Sequence, residues 1–351
     1  MRILFYIEHF KKIGGAENYA VSLCKELSHR GYELHIVCRD GDELDGIKLY
    51  GNFHDIKGIL RKVKHDISFD WGLFERADIS RLGGGIHRFF IDYALYSFPP
   101  YLRPIKWILY RLGKHKKKIR HQKYVLGSPS TLYIAPSLFI KRHAIEYGIS
   151  DNRITVLYNG VDLKRFMPED KSSRDKIRKK WGIKERDVVF LFVSHNLRLK
   201  NLRLLKKVFD ELHKDFPMIK LMVVGKRKPG FRAPYLVYTG PVQDMPEIYA
   251  LGDVLVHPSY FDTFGSVVIE AMASGLPVIV SRFAGASEIV EDGGIVLPVV
   301  GSEAMQLWRG SIKEMLDKEL RADMGYKARL IAERYDFSSY VDRIEALIRS
   351  V

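Results

Sequence analysis

The 351-residue sequence contains little cysteine and no long apolar run. Its two cysteines, Cys24 and Cys38, are too few for a disulfide framework, and we expect both to be buried thiols. No stretch of about 18 uncharged apolar residues occurs, and the N-terminal residues enter a strand pattern rather than a signal-peptide layout. No group of His and Cys has metal-ligand spacing. We therefore expect a soluble, cytoplasmic protein that needs no metal.

Acidic residues are missing from one long internal stretch. The chain carries 57 Lys and Arg against 42 Asp and Glu, and residues 1–160 hold 26 of these basic residues against 16 acidic ones. No acidic residue lies between Asp92 and Glu146. This stretch is expected to face either an anionic partner or water. Its basic residues are Arg103, Lys106, Arg111, Lys114, Lys116, Lys117, Lys118, Arg120, Lys123, Lys141 and Arg142.

Strand and helix patterns alternate along the chain, which is 46% apolar and long enough for two domains. The opening predicts a strand over 2–8, a glycine turn, a helix over 16–29 and a strand over 33–38. Such alternation favours parallel, doubly wound sheets, which bind ligands at the carboxyl ends of their strands. The first half has three further predicted strands, at 66–70 before a helix, at 131–136 and at 153–158, and a helix at 137–147. A charged connecting stretch follows at 164–186. The second half has predicted strands at 188–194, 220–224, 236–239 and 254–256, and helices at 202–214 and 245–251.

The segment from His257 to Val280 indicates a strand, a loop, a helix, a turn and a strand. The predicted helix begins near Gly265, and a helix N-terminus with a glycine beside it suits a bound diphosphate. Glu270 lies far enough along this helix to reach a ribose diol, whereas Asp262 precedes the helix and would meet a sugar. The alternative is an ordinary crossover helix with both carboxylates in solvent.

The pair Asp262 and Glu270, separated by seven residues and followed by Ala-Met-Ala-Ser-Gly-Leu-Pro-Val, resembles the signature of the retaining glycosyltransferases of family 4. The resemblance implies the GT-B fold, in which two Rossmann-like α/β domains face each other across a cleft. It predicts an acceptor-binding domain over 1–160, a nucleotide-sugar-binding domain over 161–335, and a helix over 336–351 that crosses back to the first domain. Further family landmarks in their usual order are Gly14-Gly15-Ala16-Glu17, Ala135-Pro136-Ser137, Asn159-Gly160-Val161-Asp162 with Phe166 and Pro168, and Gly285 with Glu288.

The resemblance also implies roles for individual residues. Asp262 stands where the family usually has the Glu that contacts the donor sugar, and Glu270 stands where the family binds the ribose. Lys200 aligns with the Lys that holds the leaving diphosphate, and a basic loop without this role is the alternative. His195 occupies the position of the usual Arg, so Arg198 is a shifted substitute. The remaining donor-binding candidates, through their backbone, are Phe264, Gly265 and Ser266.

Two glycine clusters of the first domain supply further candidates. Gly14 and Gly15 form a turn that suits close approach to a donor phosphate or an acceptor, although a plain turn is the alternative. The cluster before His87 resembles a segment of bacterial lipopolysaccharide core glycosyltransferases in the same family, which would place His87 beside the reacting sugar; a structural histidine is the alternative. Asp40-Gly41-Asp42 superficially resembles the metal-binding triplet of the other glycosyltransferase fold, but we interpret it as a solvated turn.

The segment 101–123 combines basic and aromatic residues with an apolar stripe. Trp and Tyr among Lys and Arg suit a membrane interface, so we expect contact with the anionic inner leaflet. One alternative is a charged helix whose stripe packs on its domain. Nucleic acid is not expected as a partner because no recognised nucleic-acid module accompanies the segment. The stripe consists of Ile105, Ile108, Leu109 and Leu112.

The resemblance thus implies retaining transfer of a hexose from a UDP-sugar to a saccharide acceptor, such as a lipopolysaccharide core or another lipid-linked glycan. No cofactor or metal is expected, because a Lys/Arg pair and a helix N-terminus can offset the charge of the leaving diphosphate. The enzyme would lie on the inner face of the cell membrane as a peripheral protein. Two alternatives remain open: a sugar-nucleotide epimerase of the same fold, and a non-catalytic protein that binds anionic surfaces.

Overall fold

A computed structural model describes residues 1–11 and 15–351. The chain divides into two compact units. The first contains residues 1–92, 104–159 and 338–351, and the second contains residues 93–103 and 160–337. The chain therefore enters the second unit after Asp92 and again after Asn159, and it returns to the first unit after Arg103 and after Phe337.

A seven-stranded parallel sheet forms the centre of the first unit, with the strand order β5-β3-β1-β6-β7-β8-β9. A separate parallel pair joins β2 and β4. The strands are β1 Arg2–Tyr6, β2 His9–Phe10, β3 Glu33–Val37, β4 Asp40–Gly41, β5 Ile47–Tyr50, β6 Ile67–Asp70, β7 Ile79–Arg81, β8 Leu132–Ala135 and β9 Ile154–Val156. The helices up to residue 159 are α1 Gly15–His29, α2 Ile56–Lys62, α3 His87–Leu95, α4 Arg103–Leu109, α5 Gly113–Leu126 and α6 Leu138–Tyr147.

The second unit has a six-stranded parallel sheet of order β12-β11-β10-β13-β14-β15. Sequence order therefore reverses between β10 and β13, which makes this the switch point of a Rossmann-like sheet. The strands are β10 Val188–Val193, β11 Ile219–Val224, β12 Leu236–Gly240, β13 Val254–His257, β14 Val278–Ser281 and β15 Gly294–Leu297. Its helices are α7 Lys171–Lys180, α8 Leu202–Asp215, α9 Met245–Leu251, α10 Ser266–Ala273, α11 Ala304–Glu314 and α12 Lys318–Glu333. The last helix of the chain is α13 Phe337–Arg349.

The central strands are apolar on both faces because helices cover both sides of each sheet. Every residue of β10 except Val193 is buried, and Phe190 packs edge-on against Phe209 of α8 at a centroid distance of 5.5 Å. Trp308 of α11 is fully buried and donates its indole N–H to the Pro298 carbonyl across 2.9 Å. Such continuous apolar strands are typical of parallel sheets, which confirms the predicted α/β fold class.

The prediction that the first domain comprises residues 1–160 is wrong for residues 93–103, because these residues belong to the second unit. The reason is aromatic packing that sequence periodicity does not reveal. The ring of Tyr93 lies 5.6 Å from that of Phe261 and 4.9 Å from that of Phe283. One smaller prediction was also wrong, because β6 leads to β7 rather than to a helix. The charged connecting stretch 164–186 contains α7.

The C-terminal helix α13 belongs to the first unit from Ser338 onward. Its charged side chains meet the end of α1. Arg30 donates to Asp342 across 2.5 Å and to Glu345 across 3.0 Å, and the Tyr32 hydroxyl donates to the second oxygen of Glu345. The helix predicted at the C-terminus is thus present, and it is joined to the unit by an ion-pair network.

The apolar stripe of the basic segment is exposed in the structure. Ile105 and Ile108 each expose 55% of their surface, Leu109 exposes 49% and Leu112 exposes 52%. The alternative in which this stripe packs on its own domain is therefore wrong. Among the described residues, no helix is long and apolar enough to cross a membrane.

Candidate active site

Two loops leave the second sheet at its switch point. One follows β10 and runs through Ser194–Asn201 to α8, and the other follows β13 and runs from Pro258 to α10. Because β10 and β13 are neighbours and parallel, both loops emerge at the same edge. The Tyr260 amide donates to the Leu199 carbonyl across 2.9 Å, so the loops touch directly. This edge carries most of the predicted donor-binding residues.

Lys200, Asp262 and His257 meet here as one cluster. The Lys200 ammonium donates to Asp262 Oδ2 and also to the Phe261 carbonyl at 3.3 Å. His257 Nε2 lies 3.0 Å from the same carboxylate oxygen. His257 is buried, whereas the side chains of Lys200 and Asp262 each keep 18% of their surface exposed. The two charged groups are therefore held in place and still accessible to a ligand.

The cluster fixes the protonation of its members. Burial alone would raise the pKa of Asp262, but the charge of Lys200 and the hydrogen bond from His257 hold it well below its usual range. Burial lowers the pKa of His257, and its hydrogen bond to Asp262 offsets part of that effect. Asp262 is thus a carboxylate that accepts from a neutral His257, so the histidine proton resides on Nε2.

Gly265 lets the helix α10 begin beside this cluster. Its φ of +93° lies in the left-handed region, and a Cβ there would stand 3.2 Å from Asp262 Oδ2 and 3.4 Å from His257 Nε2. The next residue, Ser266, opens the helix, whose N-terminus carries the positive end of the dipole. Phe264 is buried, and its carbonyl accepts from the Ala286 amide across 2.7 Å. The predicted backbone group Phe264–Ser266 is therefore rigidly placed.

Glu270 lies on α10 and is held by a residue from another helix. The Tyr249 hydroxyl of α9 donates to Glu270 Oε2 across 2.8 Å. Burial raises the pKa of Glu270, whereas the hydrogen bond from Tyr249 and the charge of Arg165 lower it. Glu270 is only partly buried, so its carboxyl group can meet a ligand.

Arg198 and His195 lie on the same loop as Lys200. The Arg198 guanidinium stands 4.1 Å above the ring centre of Phe98, which belongs to the same unit. His195 is exposed, and its Nδ1 accepts from the Lys226 amide at 3.4 Å. Beside it, Gly225 leaves no room for a side chain, because a Cβ would lie 2.0 Å from the Ser194 carbonyl oxygen.

The candidate site residues of the first unit are Gly14, Gly15 and His87. Gly14 lies outside the described residues, and Gly15 is the exposed first residue of α1. His87 is buried, its ring stacks on His115 with Nε2 and Nδ1 2.9 Å apart, and its amide donates to Gln122 Oε1. Burial lowers the pKa of His87 to about 4, with the charge of Lys118 acting in the same direction. These contacts hold the His87 ring in place, and its low pKa keeps the ring neutral.

The acidic triplet after β3 is not arranged as a metal site in the structure. Asp40 pairs with His9 Nδ1 across 2.9 Å and with Lys11 at 3.6 Å. Asp40 and Gly41 form the short strand β4 rather than the predicted turn. Within residues 1–11 and 15–351, no three His, Cys, Asp or Glu side chains are grouped so that they could hold a metal ion.

Three residues of the site were not predicted. Gly225 directly follows an apolar strand, so its place at the strand end was a usable signal. His257 ends β13 and was considered only as part of the strand. Tyr249 precedes Glu270 by 21 positions on a separate helix, and no spacing in the sequence connects them.

Solved structures show the class to which this architecture belongs. WaaG, a glycosyltransferase involved in lipopolysaccharide biosynthesis, matches 97% of this chain and 98% of its own with a TM-score of 0.83 and 19% identity. Alr3699/HepE of Anabaena, solved with UDP-glucose, matches 100% of both chains with a TM-score of 0.77 and 20% identity. At these identities the likeness establishes the fold, and the chain has the GT-B fold.

Family models then specify the family. The model "Glycosyltransferase Family 4" matches residues 13–165, and "Glycosyl transferases group 1" matches residues 173–331. Together they span both units, and the chain belongs to the family 4 glycosyltransferases. This confirms the resemblance that the pair Asp262 and Glu270 indicated.

Curated relatives differ in the transferred group or the acceptor that their names give. Sulfoquinovosyl transferase SQD2 of Arabidopsis thaliana is 30% identical over 62% of this chain and 44% of its own length. N-acetyl-alpha-D-glucosaminyl L-malate synthase of Bacillus anthracis is 23% identical over 100% of this chain and 98% of its own length. The chain spans about half the length of several curated relatives that it matches, including D-inositol 3-phosphate glycosyltransferases of corynebacteria.

Proposed function

We propose that this protein transfers a hexose from a nucleotide-sugar, with UDP as the nucleotide, to a saccharide acceptor. The observation that carries the proposal is the meeting of Lys200, Asp262 and the N-terminus of α10 at the switch point of the second sheet. Glu270 lies on the same helix. These groups match the charges of a nucleoside diphosphate sugar, and the Anabaena relative was solved with UDP-glucose.

Each part of the donor has a proposed partner. The diphosphate lies against the N-terminus of α10 and Lys200, where a dipole end and a cation attract negative charge. Glu270 accepts from the ribose diol. Asp262 binds Lys200 and His257 through Oδ2. We therefore propose that its other carboxylate oxygen, Oδ1, contacts the donor sugar. Arg198 and His195 lie on the adjoining loop as secondary contacts to the phosphates.

The proposed reaction retains the anomeric configuration. The bond from the anomeric carbon to the diphosphate oxygen breaks, and the acceptor hydroxyl oxygen forms its bond on the same face. The acceptor proton moves to the departing phosphate oxygen, so no dedicated side-chain base takes part. Lys200 and the helix N-terminus offset the charge that builds on the diphosphate. In this mechanism, the reaction uses no metal ion or other cofactor.

The acceptor is proposed to bind the first unit, near Gly14, Gly15 and His87. Its chemical class is a lipopolysaccharide core sugar or another lipid-linked glycan. His87 would contact the reacting sugar through its neutral ring, because its low pKa prevents it from carrying charge near neutral pH. In this role it orients the acceptor and transfers no proton.

The basic segment 101–123 is proposed to hold the enzyme on the anionic inner face of the cell membrane. Its stripe of Ile105, Ile108, Leu109 and Leu112 is exposed, and the Arg111 guanidinium stacks 3.3 Å from the ring centre of Trp107. Exposed lysines of α5 follow the stripe directly in the chain. Apolar residues close to cations in sequence suit an anionic lipid surface. These lysines are Lys114, Lys116, Lys117 and Lys118.

Thermal-shift screening tests the donor proposal. The melting temperature is measured with UDP-glucose, UDP-galactose, UDP-N-acetylglucosamine, ADP-glucose and GDP-mannose. We expect a UDP-sugar to raise it by several degrees at saturating concentration, because a ligand that binds only the folded state stabilises it. An equal response to all nucleotides, or no response to any, contradicts the proposal. A separate assay of UDP release distinguishes the sugar-nucleotide epimerase from the transferase, because the epimerase would release UDP without an acceptor.

A further inference from the structure

Glu270 is held from two directions by residues that lie outside its own helix. Tyr249 of α9 donates its hydroxyl hydrogen to Glu270 Oε2 across 2.8 Å, and its side chain is fully buried. Phe166 packs edge-on against the Tyr249 ring at a centroid distance of 5.8 Å. Arg165, directly before Phe166, is exposed, and its guanidinium lies 5.1 Å from the Phe166 ring centre. The charge of Arg165 lowers the pKa of Glu270. The carboxylate is thus supported by α9 and by the stretch that opens the second unit.

Elements that pack against α10 carry other titratable groups, of which Arg329 and His257 bind residues other than Glu270. Arg329 of α12 donates to the carbonyls of Phe166 and Ala273 and to Glu333. His257 of β13 binds Asp262. The turn Gly285–Ile289 carries Glu288. Tyr249 and Arg165 are therefore the groups whose hydrogen bond and charge act on Glu270.

We propose that Tyr249 and Arg165 are positioning residues for the donor, which hold Glu270 as an ionised and oriented carboxylate that accepts from a ribose diol. This inference rests on the proposed function, in which Glu270 binds the ribose. A carboxylate in a partly buried site tends to take up a proton, and it then loses acceptor capacity. The bond to Oε2 also restricts rotation of the carboxyl group, which lowers the entropic cost of donor binding.

The role predicts a particular pH dependence. Burial raises the pKa of Glu270, and Tyr249 and Arg165 lower it. Removing either residue therefore raises that pKa further, so the protonated fraction of Glu270 extends to higher pH. A variant that lacks either Tyr249 or Arg165 should therefore bind ribose most weakly at acidic pH, and its binding should recover toward alkaline pH. A residue that only fills the core would weaken binding equally at every pH.

Calorimetric titration of the full chain with UDP and with 2′-deoxy-UDP tests the proposal, from about pH 5.5 to 8.5. The variant is Tyr249→Phe, which keeps the ring. The matched control is Tyr235→Phe, another buried tyrosine of the second unit, whose hydroxyl donates to Asp210 across 2.6 Å. We expect Tyr249→Phe to weaken UDP binding roughly tenfold at the acidic end, less at the alkaline end, and less for 2′-deoxy-UDP. Tyr235→Phe should match the wild type. Protonation of UDP itself cancels in the ratio of variant to wild type.

Arg165→Gln provides a second variant that keeps the core intact, because Arg165 is exposed. Its control is the exposed neighbour, Lys164→Gln. We expect Arg165→Gln to reproduce the acid-dependent loss in smaller measure, and Lys164→Gln to show none. The proposal is overturned if wild type binds UDP and both variants bind it within twofold at all pH values. It is equally overturned if their losses are independent of pH and identical for the two nucleotides. Failure of the wild type to bind UDP would overturn the proposed function as well.

Discussion

Lys200 is the residue whose charge matters most for the proposed chemistry. It is bound to Asp262 in the structure, so its ammonium is already in place before a diphosphate arrives. A cation that needs no rearrangement stabilises developing negative charge more effectively than one that must be ordered. We propose that the same contact compensates for the shorter acidic residue at position 262, since Lys200 and His257 reach it from two sides.

Replacing Lys200 by Met tests this role. We expect Lys200→Met to lower kcat for sugar transfer about 100-fold, because the leaving diphosphate loses its fixed cation. Steady-state kinetics with the donor identified by thermal shift measures the effect. Lys207→Met, an exposed lysine on α8, is the control and should keep wild-type kcat. A kcat for Lys200→Met within twofold of the wild type would contradict the assignment.

Asp70 is a buried carboxyl group of the first unit that titrates near neutral pH. It ends β6 and accepts from the Phe74 amide across 3.0 Å. Burial raises its pKa from 3.8 to about 7, despite hydrogen bonds from backbone amides and Ser80. A raised pKa means that the folded state binds its proton more tightly than the unfolded state. This stabilisation is present below the ordinary pKa and is lost as the pH rises through about 7.

The expected result is a pH-dependent difference between wild type and Asp70→Asn. Asparagine cannot ionise, so the free energy of unfolding of the Asp70→Asn variant lacks the pH-dependent contribution of the Asp70 proton. This contribution is roughly 4 kcal/mol at most. Urea unfolding followed by Trp fluorescence between about pH 5 and 8 measures both proteins. The wild type should lose stability relative to the variant as the pH rises. Parallel profiles would show that Asp70 does not titrate in this range.

At the scale of the secondary-structure elements, α4 carries most of the exposed apolar stripe. Its exposed Ile105 and Ile108 lie beside the lysine-rich start of α5. Burying two such side chains in a lipid interface contributes a few kcal/mol, and nearby cations add attraction to anionic lipids. This surface is therefore the feature through which membrane association is proposed to occur.

The double variant Ile105→Ser/Ile108→Ser should bind vesicles rich in phosphatidylglycerol at least roughly tenfold more weakly than wild type. Vesicle co-sedimentation at low and high salt measures this, and high salt should weaken binding of the wild type. Leu330→Ser, which changes an exposed leucine of α12, is the control and should bind as the wild type does. Equal binding by the double variant, or equal binding to phosphatidylcholine vesicles, would refute a membrane role.

Most elements were predictable because their causes are local. Apolar runs predict β10 and β13, and a side-chain cap marks α6, where Ser137 accepts from the Ile140 amide. The candidate site was predictable where the chain itself brings groups together, as Gly265 directly precedes α10 and Glu270 lies on it. The residues that were missed act across elements. Tyr249 reaches Glu270 from another helix, and the aromatic packing that assigns 93–103 to the second unit depends on side chains distant in sequence.

For the whole molecule, two Rossmann-like units divide the proposed work. The second unit has the strand reversal, the helix N-terminus and the charged cluster that a nucleoside diphosphate sugar requires. The first unit has a sheet of the same kind, and its candidates Gly15 and His87 are proposed to serve the acceptor. We therefore propose that the second unit supplies the donor site for a transfer reaction.

Release of UDP from the donor UDP-sugar, measured with and without a lipid-linked glycan acceptor, tests this claim most directly. We expect release that depends on the acceptor in the wild type and falls at least roughly 100-fold in Asp262→Ala and in Glu270→Ala. Circular dichroism of both variants should match the wild type. Wild-type rates in either variant, or UDP release that is the same without acceptor, would contradict it.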